Sequence, residues 1–359
     1  MWSSRSGRSA TCSCNWAGDS CLAVVTAAAV YRDFTTEEGT TNSFAQHIFV
    51  TRLDEQGQLD PLFGRAGVTT LKFDSMDQVI GDMEIQPDGK ILLVVKAMDY
   101  PVNGRGMSGT ANAIVRLLPD GAPDPHFGQG GRINLVYEDL YAPAELALTR
   151  EGKVLVGLEA RVDRSGDDEF PDKFALMRLN PDGSRDNAFG QGGLAVLQVG
   201  SESSSSSDLA ELSGGKIVAV GDFWSNSGPD NGLAVVRFNP DGGVDSTFGQ
   251  DGQATVKVQD GRVAASKVRV ARDGQLVVAG HYDGNANNDG VLVARLLKSG
   301  ELDQRFSYDG QLIDAVATHP QSETLFLDED GIVVTTVSTP DSDAPATERS
   351  EFAAVRYWN

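Results

Sequence analysis

Residues 178–193 read RLNPDGSRDNAFGQGG, and residues 237–252 read RFNPDGGVDSTFGQDG. In each, an aspartate lies eight residues past the arginine, a phenylalanine eleven past it and a glycine fifteen past it. Outward from this pair the spacing occurs five times, at Arg52/Asp60/Phe63/Gly67, Arg116/Asp124/Phe127/Gly131, Arg178/Asp186/Phe189/Gly193, Arg237/Asp245/Phe248/Gly252 and Arg295/Asp303/Phe306/Gly310. A sixth arginine, Arg356, stands three residues before the last position. Successive arginines are 64, 62, 59, 58 and 61 residues apart, which is the period of one supersecondary unit copied in tandem.

Each unit reads as four short strands. Branched residues after the glycine form one of them, at Val68–Phe73, Arg132–Tyr137, Leu194–Val199, Gln253–Val258 and Gln311–Val316. Two apolar runs then flank a tight turn such as Asp88-Gly89, Glu151-Gly152, Gly214-Gly215, Asp273-Gly274 or Asp330-Gly331. Dipeptides of this kind supply the positive φ that a hairpin turn needs. A longer, variable connection leads into the strand that carries the arginine, and Pro-Asp-Gly ends that strand at 119–121, 181–183 and 240–242. Such units cannot cover both sheet faces alone, so neighbours must pack on them. The expectation is an all-β chain, a β-propeller of six blades of four-stranded antiparallel sheets. Sustained helical periodicity is absent, which excludes an α/β fold.

The unit R-[LF]-x-P-D-G-x-x-D-x-x-F-G-x-x-G resembles the delta-60 repeat, a bacterial tandem repeat of a propeller-like domain of unknown function. The resemblance covers residues from about 44 to 359. It implies a secreted, periplasmic or cell-surface bacterial protein and implies no reaction. Departures are Lys298-Ser299-Gly300 in place of Pro-Asp-Gly, Ser307 in place of the glycine after Phe306, and a first unit without its opening strand. Residues 1–10 are expected as a polar segment outside the repeats, and 11–359 as one propeller domain. Its units run approximately 11–66, 67–130, 131–192, 193–251, 252–310 and 311–359. Two arrangements fit the missing strand. Either the first blade has three strands, or the C-terminal strand at 351–357 pairs with N-terminal ones.

Thirty basic against 51 acidic side chains give a formal charge of −21, which disfavours nucleic acid and anionic membranes as partners. No run of 18 apolar residues is present to span a bilayer as a helix. Cys12, Cys14 and Cys21 are the only cysteines, so disulfides do not hold the repeats together. Residues 21–30 read either as an export-signal core or, preferably, as a blade strand. A monomer is expected.

The residues common to all copies are expected to be structural, because identical groups around a repeat serve every blade alike while a catalytic centre needs asymmetry. Arginine and aspartate should pair across the loop, the phenylalanine should fill the seam between blades, and the glycine should permit entry into the inner strand. Arg356 belongs to the same set. Function is sought in the loops that differ, at 99–111, 161–173, 222–232, 282–290 and 339–351, with Ser203–Ser207 nearby. Tyr100, Trp224 and Tyr282 are candidate stacking residues for a ligand there. Asp283, Asn285, Asn287 and Asp289 alternate oxygen ligands and are candidate calcium ligands, although the loop lacks the EF-hand glycine and glutamate. Asp163, Asp167, Asp168, Glu169 and Asp172 form a second acidic loop that reads as a solvated charge run. The four histidines, His47, His126, His281 and His319, lie in different units, and no nucleophile elbow or phosphate-binding loop is present. These observations favour a non-catalytic module that holds a glycan, peptide or surface protein on its variable loops. The alternative is a metal-dependent propeller hydrolase or lactonase with its site at the central channel.

Overall fold

The computed structural model describes residues 6–11, 16–17, 20–21, 24–35, 41–73, 77–98, 112–135, 140–161, 172–200, 203–224, 231–258, 261–284, 289–314, 320–327, 331–338 and 351–358. Among them every regular element is a β-strand. By contact the chain forms two compact units, residues 1–156 with 179–185 and residues 157–178 with 186–359.

Five sheets have four antiparallel strands and share one plan. In the fourth sheet, Ser203–Glu211 pairs with Ile217–Trp224, that strand with Gly232–Phe238, and the last with Gln253–Val256. The second sheet repeats this with Asp77–Ile85, Ile91–Met98, Asn112–Leu117 and Arg132–Leu135. The third uses Leu140–Leu148, Val154–Arg161, Asp172–Leu179 and Leu194–Leu197. The fifth uses Arg262–Val270, Leu276–Asp283, Gly290–Leu296 and Gln311–Asp314. The first has Ser6–Thr11, Val24–Thr35, Thr41–Leu53 and Val68–Lys72. The sixth has three strands, Pro320–Leu327, Gly331–Ser338 and Glu351–Trp358. Trp16–Ala17 and Ser20–Cys21 form a small separate ribbon.

This grouping corrects three expectations. The strand after each motif glycine does not open the next sheet as its inner strand. It hydrogen-bonds to the arginine strand before it, as Gln253–Val256 does to Leu233–Val236. Hence each sheet boundary falls at the polar connection after that strand, and it is the sixth sheet, not the first, that has three strands. Residues 6–11, expected outside the repeats, pair with Thr26–Val30 as the first sheet's opening strand. Polar composition misled there because an edge strand needs only its backbone groups to pair.

Burial follows strand position. Asn112–Leu117 is buried at every residue, as suits a strand with a sheet packed on each face. Gln253–Val256 alternates buried and accessible positions, as suits an edge. Neighbouring opening strands lie against one another, Asp77–Ile85 against Leu140–Leu148 in one unit and Ser203–Glu211 against Arg262–Val270 in the other. Between sheets the apolar side chains interdigitate: Phe63 packs with Val25, Ile48, Met83 and Leu93, and Phe248 with Val235, Val268 and Leu292. A third cluster sets Phe306 among Val277, Val291, Leu325 and Ile332. In these three copies the motif phenylalanine belongs to a cluster drawn from two neighbouring sheets.

Opening strands carry a bulge, between Ser206 and Asp208 in the fourth sheet and between Ala265 and Lys267 in the fifth. Opposite the fourth-sheet bulge stands Gly221, where a Cβ would come 1.7 Å from the Ser205 carbonyl oxygen. Ser203–Ser207, expected near the loops, is part of this strand, with Ser204, Ser205 and Ser206 buried.

Candidate functional site

Four shared residues wire one loop. The Asp186 N–H donates to the Arg178 carbonyl at 3.0 Å, the Phe189 N–H to the Asp186 carbonyl at 3.0 Å, the Gly193 N–H to the Phe189 carbonyl at 2.8 Å, and the Arg178 N–H to the Gly193 carbonyl at 2.9 Å. The same four bonds recur in every copy, which accounts for the invariant spacing. Asp186 Oδ2 accepts from Arg178 Nε at 2.6 Å, and Oδ1 accepts from the Ala188 N–H at 3.2 Å. Equivalent pairs are Arg52–Asp60 and Arg116–Asp124 at 2.8 Å, Arg237–Asp245 at 2.6 Å and Arg295–Asp303 at 3.1 Å. On its other side each guanidinium lies over the motif ring, 4.3 Å from the Phe127 centroid and 4.4 Å from that of Phe189.

A third contact was not readable from spacing. Arg116 Nη1 donates to the Pro181 carbonyl at 2.5 Å, and Arg178 Nη1 to the Pro240 carbonyl at 2.5 Å, each in the turn of the following copy. Arg52 does the same to Pro119, and Arg237 to Lys298. Beside these bonds the Gly128 N–H donates to the Asp182 carbonyl at 2.9 Å and the Gly190 N–H to the Asp241 carbonyl at 2.6 Å. Lys298-Ser299-Gly300 replaces Pro-Asp-Gly without loss, because only backbone carbonyls of the turn are used. A further inter-sheet bond joins the opening strands: Asp82 accepts from the Leu146 N–H at 2.8 Å, and Asp208 from the Val268 N–H at 2.9 Å.

Four of the motif carboxyls are held acidic. The Leu62 N–H, with Arg52, keeps Asp60 below the ordinary 3.8, and Arg305, with the backbone and Arg295, does so for Asp303. Burial opposes ionisation at Asp124 and Asp245, yet the His126 N–H and Arg116 outweigh it at the first, and Lys216, Thr247 and Arg237 at the second. Arg356 differs from the other five: it is exposed on the last strand, opposite Val333.

The variable loops hold the asymmetric chemistry. Tyr100, Asn285 and Asn287 lie outside the described residues, as do Asp163, Asp167, Asp168, Glu169 and His319. Trp224 and Asp283 come together in an open cleft of about 320 Å³ between the fourth and fifth sheets. Asp222, Asn231, Arg262 and His281 also line it. Strand pairing explains the meeting. Trp224 ends one strand and Asp283 another, while Arg262 opens the strand opposite Asp283, so side chains distant in sequence share one end of two packed sheets. Arg262 and Asp283 are opposite charges at a directly facing pair. Asp222, Asn231 and Arg262 carried no sequence signal beyond their position at strand ends.

Tyr282 corrects the expectation of a stacking residue: it is 7% exposed and packs in the core with Val263 and Leu292, so its ring offers no free face. Side chains alternate along a strand, and with its neighbour Asp283 exposed on one face, Tyr282 turns to the other. Asp289 is also buried and accepts the Gly284 N–H at 3.2 Å, which closes the base of the 282–290 loop.

A family model described as a beta-propeller domain of unknown function (DUF5122) matches residues 86–127, 171–189, 213–248 and 271–306. Each matched segment ends on a motif phenylalanine, Phe127, Phe189, Phe248 or Phe306. The chain is thus an all-β repeat protein that is similar to this family over those four segments, and the first copy, around Phe63, lies outside the match. No curated protein matches the chain. Among solved structures, a protein of unknown function from Dyadobacter fermentans DSM 18053 superposes with a TM-score of 0.58 at 11% identity, over 98% of this chain and 94% of that one. An alpha-L-arabinofuranosidase from Lactobacillus brevis gives 0.41 at 10% identity, over 76% of this chain and 88% of that one. Similarity at this identity concerns the fold alone. No described helix is long and apolar enough to cross a membrane.

Proposed function

We propose that the protein is a non-catalytic binding module that holds a glycan in the cleft at Trp224, and that it works outside the cell or on its surface. The observation that supports the reading is the composition of that cleft: the Trp224 indole beside Asp222, Asp283, Asn231 and Arg262. A sugar ring has an apolar C–H face and a rim of hydroxyls. An indole plate covers the face, while carboxylate and amide oxygens accept from the hydroxyls and a guanidinium donates to them. A volume of about 320 Å³ matches one or two sugar residues rather than a protein epitope. Bonds repeated in each copy keep the strands that end at the cleft in place, so the ligand meets a preformed surface.

A glycan array followed by titration calorimetry tests the reading. Binding of at least one oligosaccharide is expected, weakened at least about tenfold in Trp224→Ala and in Asp283→Asn, a loss of about 1.4 kcal/mol. An array with no ligand, or variants that bind as tightly as the parent chain, would refute it. The extracellular setting rests on the repeat resemblance and is checked by whether the native protein fractionates with the cytoplasm.

A further inference from the structure

A second cleft, of about 650 Å³, opens between the fifth and sixth sheets at the end where the tight turns and motif loops lie. We propose that it binds a small organic oxyanion, a carboxylate or phosphate carried on an apolar body. Arg272, Arg295 and Arg305 line it in a chain whose formal charge is −21. Val277, Leu327 and Ile332 supply an apolar wall.

Geometry sets two of the guanidiniums side by side. Arg305 grips Asp303 through Nε at 2.8 Å and Nη2 at 3.1 Å, and Arg295 Nε stands 3.1 Å from the same carboxylate. Arg305 commits Nε and one Nη2 hydrogen to Asp303, and the outer edge of its exposed guanidinium carries further N–H donors in a geometry that fits an incoming oxyanion. Arg305 is the more available, with its side chain 73% exposed.

Comparison of the copies shows that the arginine at 305 is particular to the fifth. At the position of Arg305 the earlier copies carry Leu62, His126, Ala188 and Thr247. In the fourth copy Asp245 takes its second cation from Lys216, at 2.6 Å, and the residue in that lysine's place in the fifth copy is Gln275. The frame therefore does not require an arginine at 305. Arg272 stands where the fourth copy has Ser213 and the third has Arg150, and adds positive charge without belonging to the shared loop. A structural role for Arg305 as the partner of Asp303 remains compatible with binding, and the test separates the two.

Titration calorimetry at low salt with phenyl phosphate, benzoate and inorganic phosphate reads the site. The parent protein is expected to bind at least one aromatic anion saturably, and more tightly than inorganic phosphate. Arg272→Ser and Arg305→Thr, residues that the fourth copy already carries, should each weaken it at least tenfold. In the double variant Arg305→Thr/Gln275→Lys the melting temperature should return toward that of the parent while binding stays weak. The proposal is overturned if neither aromatic anion binds, if both single variants bind like the parent, or if inorganic phosphate binds equally well, which would mean an adventitious ion only. Binding restored in full by Gln275→Lys would overturn the requirement for a guanidinium fork.

Discussion

Arg178 holds three groups at once: the Asp186 carboxylate, the Phe189 ring and the Pro240 carbonyl of the following copy. Its removal would leave a buried carboxylate without its cation and a turn carbonyl without its donor. Breaking a buried pair from one side costs about 3–5 kcal/mol. Arg178→Ala is accordingly expected to lower the chemical-denaturation free energy by about that amount, and an unchanged midpoint would show that the contact carries no stability. The carboxyls give a pH signature. Asp60, Asp124, Asp245 and Asp303 all have folded pKa values below the ordinary one, so the unfolded chain binds protons first as pH falls. Their stabilisation is complete above the unfolded value and is lost as pH drops through the folded values. The melting temperature should stay level from neutrality to about pH 5 and fall below about pH 4. A melting temperature that held level or rose below that point would contradict the assignment.

At the scale of the element, the loop after each arginine strand is both a turn and a link to the next copy. Gly190 has φ +53°, and its N–H is bonded to the Asp241 carbonyl, while a Cβ there would meet the Leu194 oxygen at 2.1 Å. Gly192 has φ +60° but open space around it, and Ala66 holds the same place in the first copy at φ 54°. Gly190→Ala should therefore destabilise by more than about 2 kcal/mol, and Gly192→Ala by about 1 kcal/mol or less. Equal losses in the two urea titrations would mean that backbone strain alone decides, without the steric contact. The opening strands are joined differently, through Asp208. Its carboxylate accepts the Val268 N–H and pairs with Arg269 at 2.9 Å. Asp208→Ala is expected to raise amide hydrogen exchange at Val268 first, and uniform exchange along that strand would count against a local role.

At the scale of the whole chain, shared and unshared residues divide the work between stability and recognition. Trp224→Ala should weaken glycan binding at least about tenfold with the melting temperature within a few degrees of the parent, since its ring lines an open cleft. Arg178→Ala should do the reverse, lowering the melting temperature while the cleft still binds below it. A variant pair that failed to separate in this way would mean that frame and face are one cooperative site.

The repeat, its period, the hairpins, the arginine strands and the Arg–Asp pairing were all legible in the residue order, because the motif residues lie within fifteen positions and recur in five copies, and each hairpin closes on a turn marked in the sequence. Sheet membership was not. A strand such as Gln253–Val256 follows one motif and precedes the next hairpin, and sequence adjacency cannot say which neighbour takes its backbone hydrogen bonds. Nor could it show the arginine's bond to a carbonyl some sixty residues away, the burial of Tyr282, or the meeting of Trp224 with Arg262 and Asp283. Those depend on which sheet packs against which and on which face of the pleat each side chain takes. Period and local pairing are written along one dimension, whereas a binding cleft arises only where strands distant in the chain end side by side.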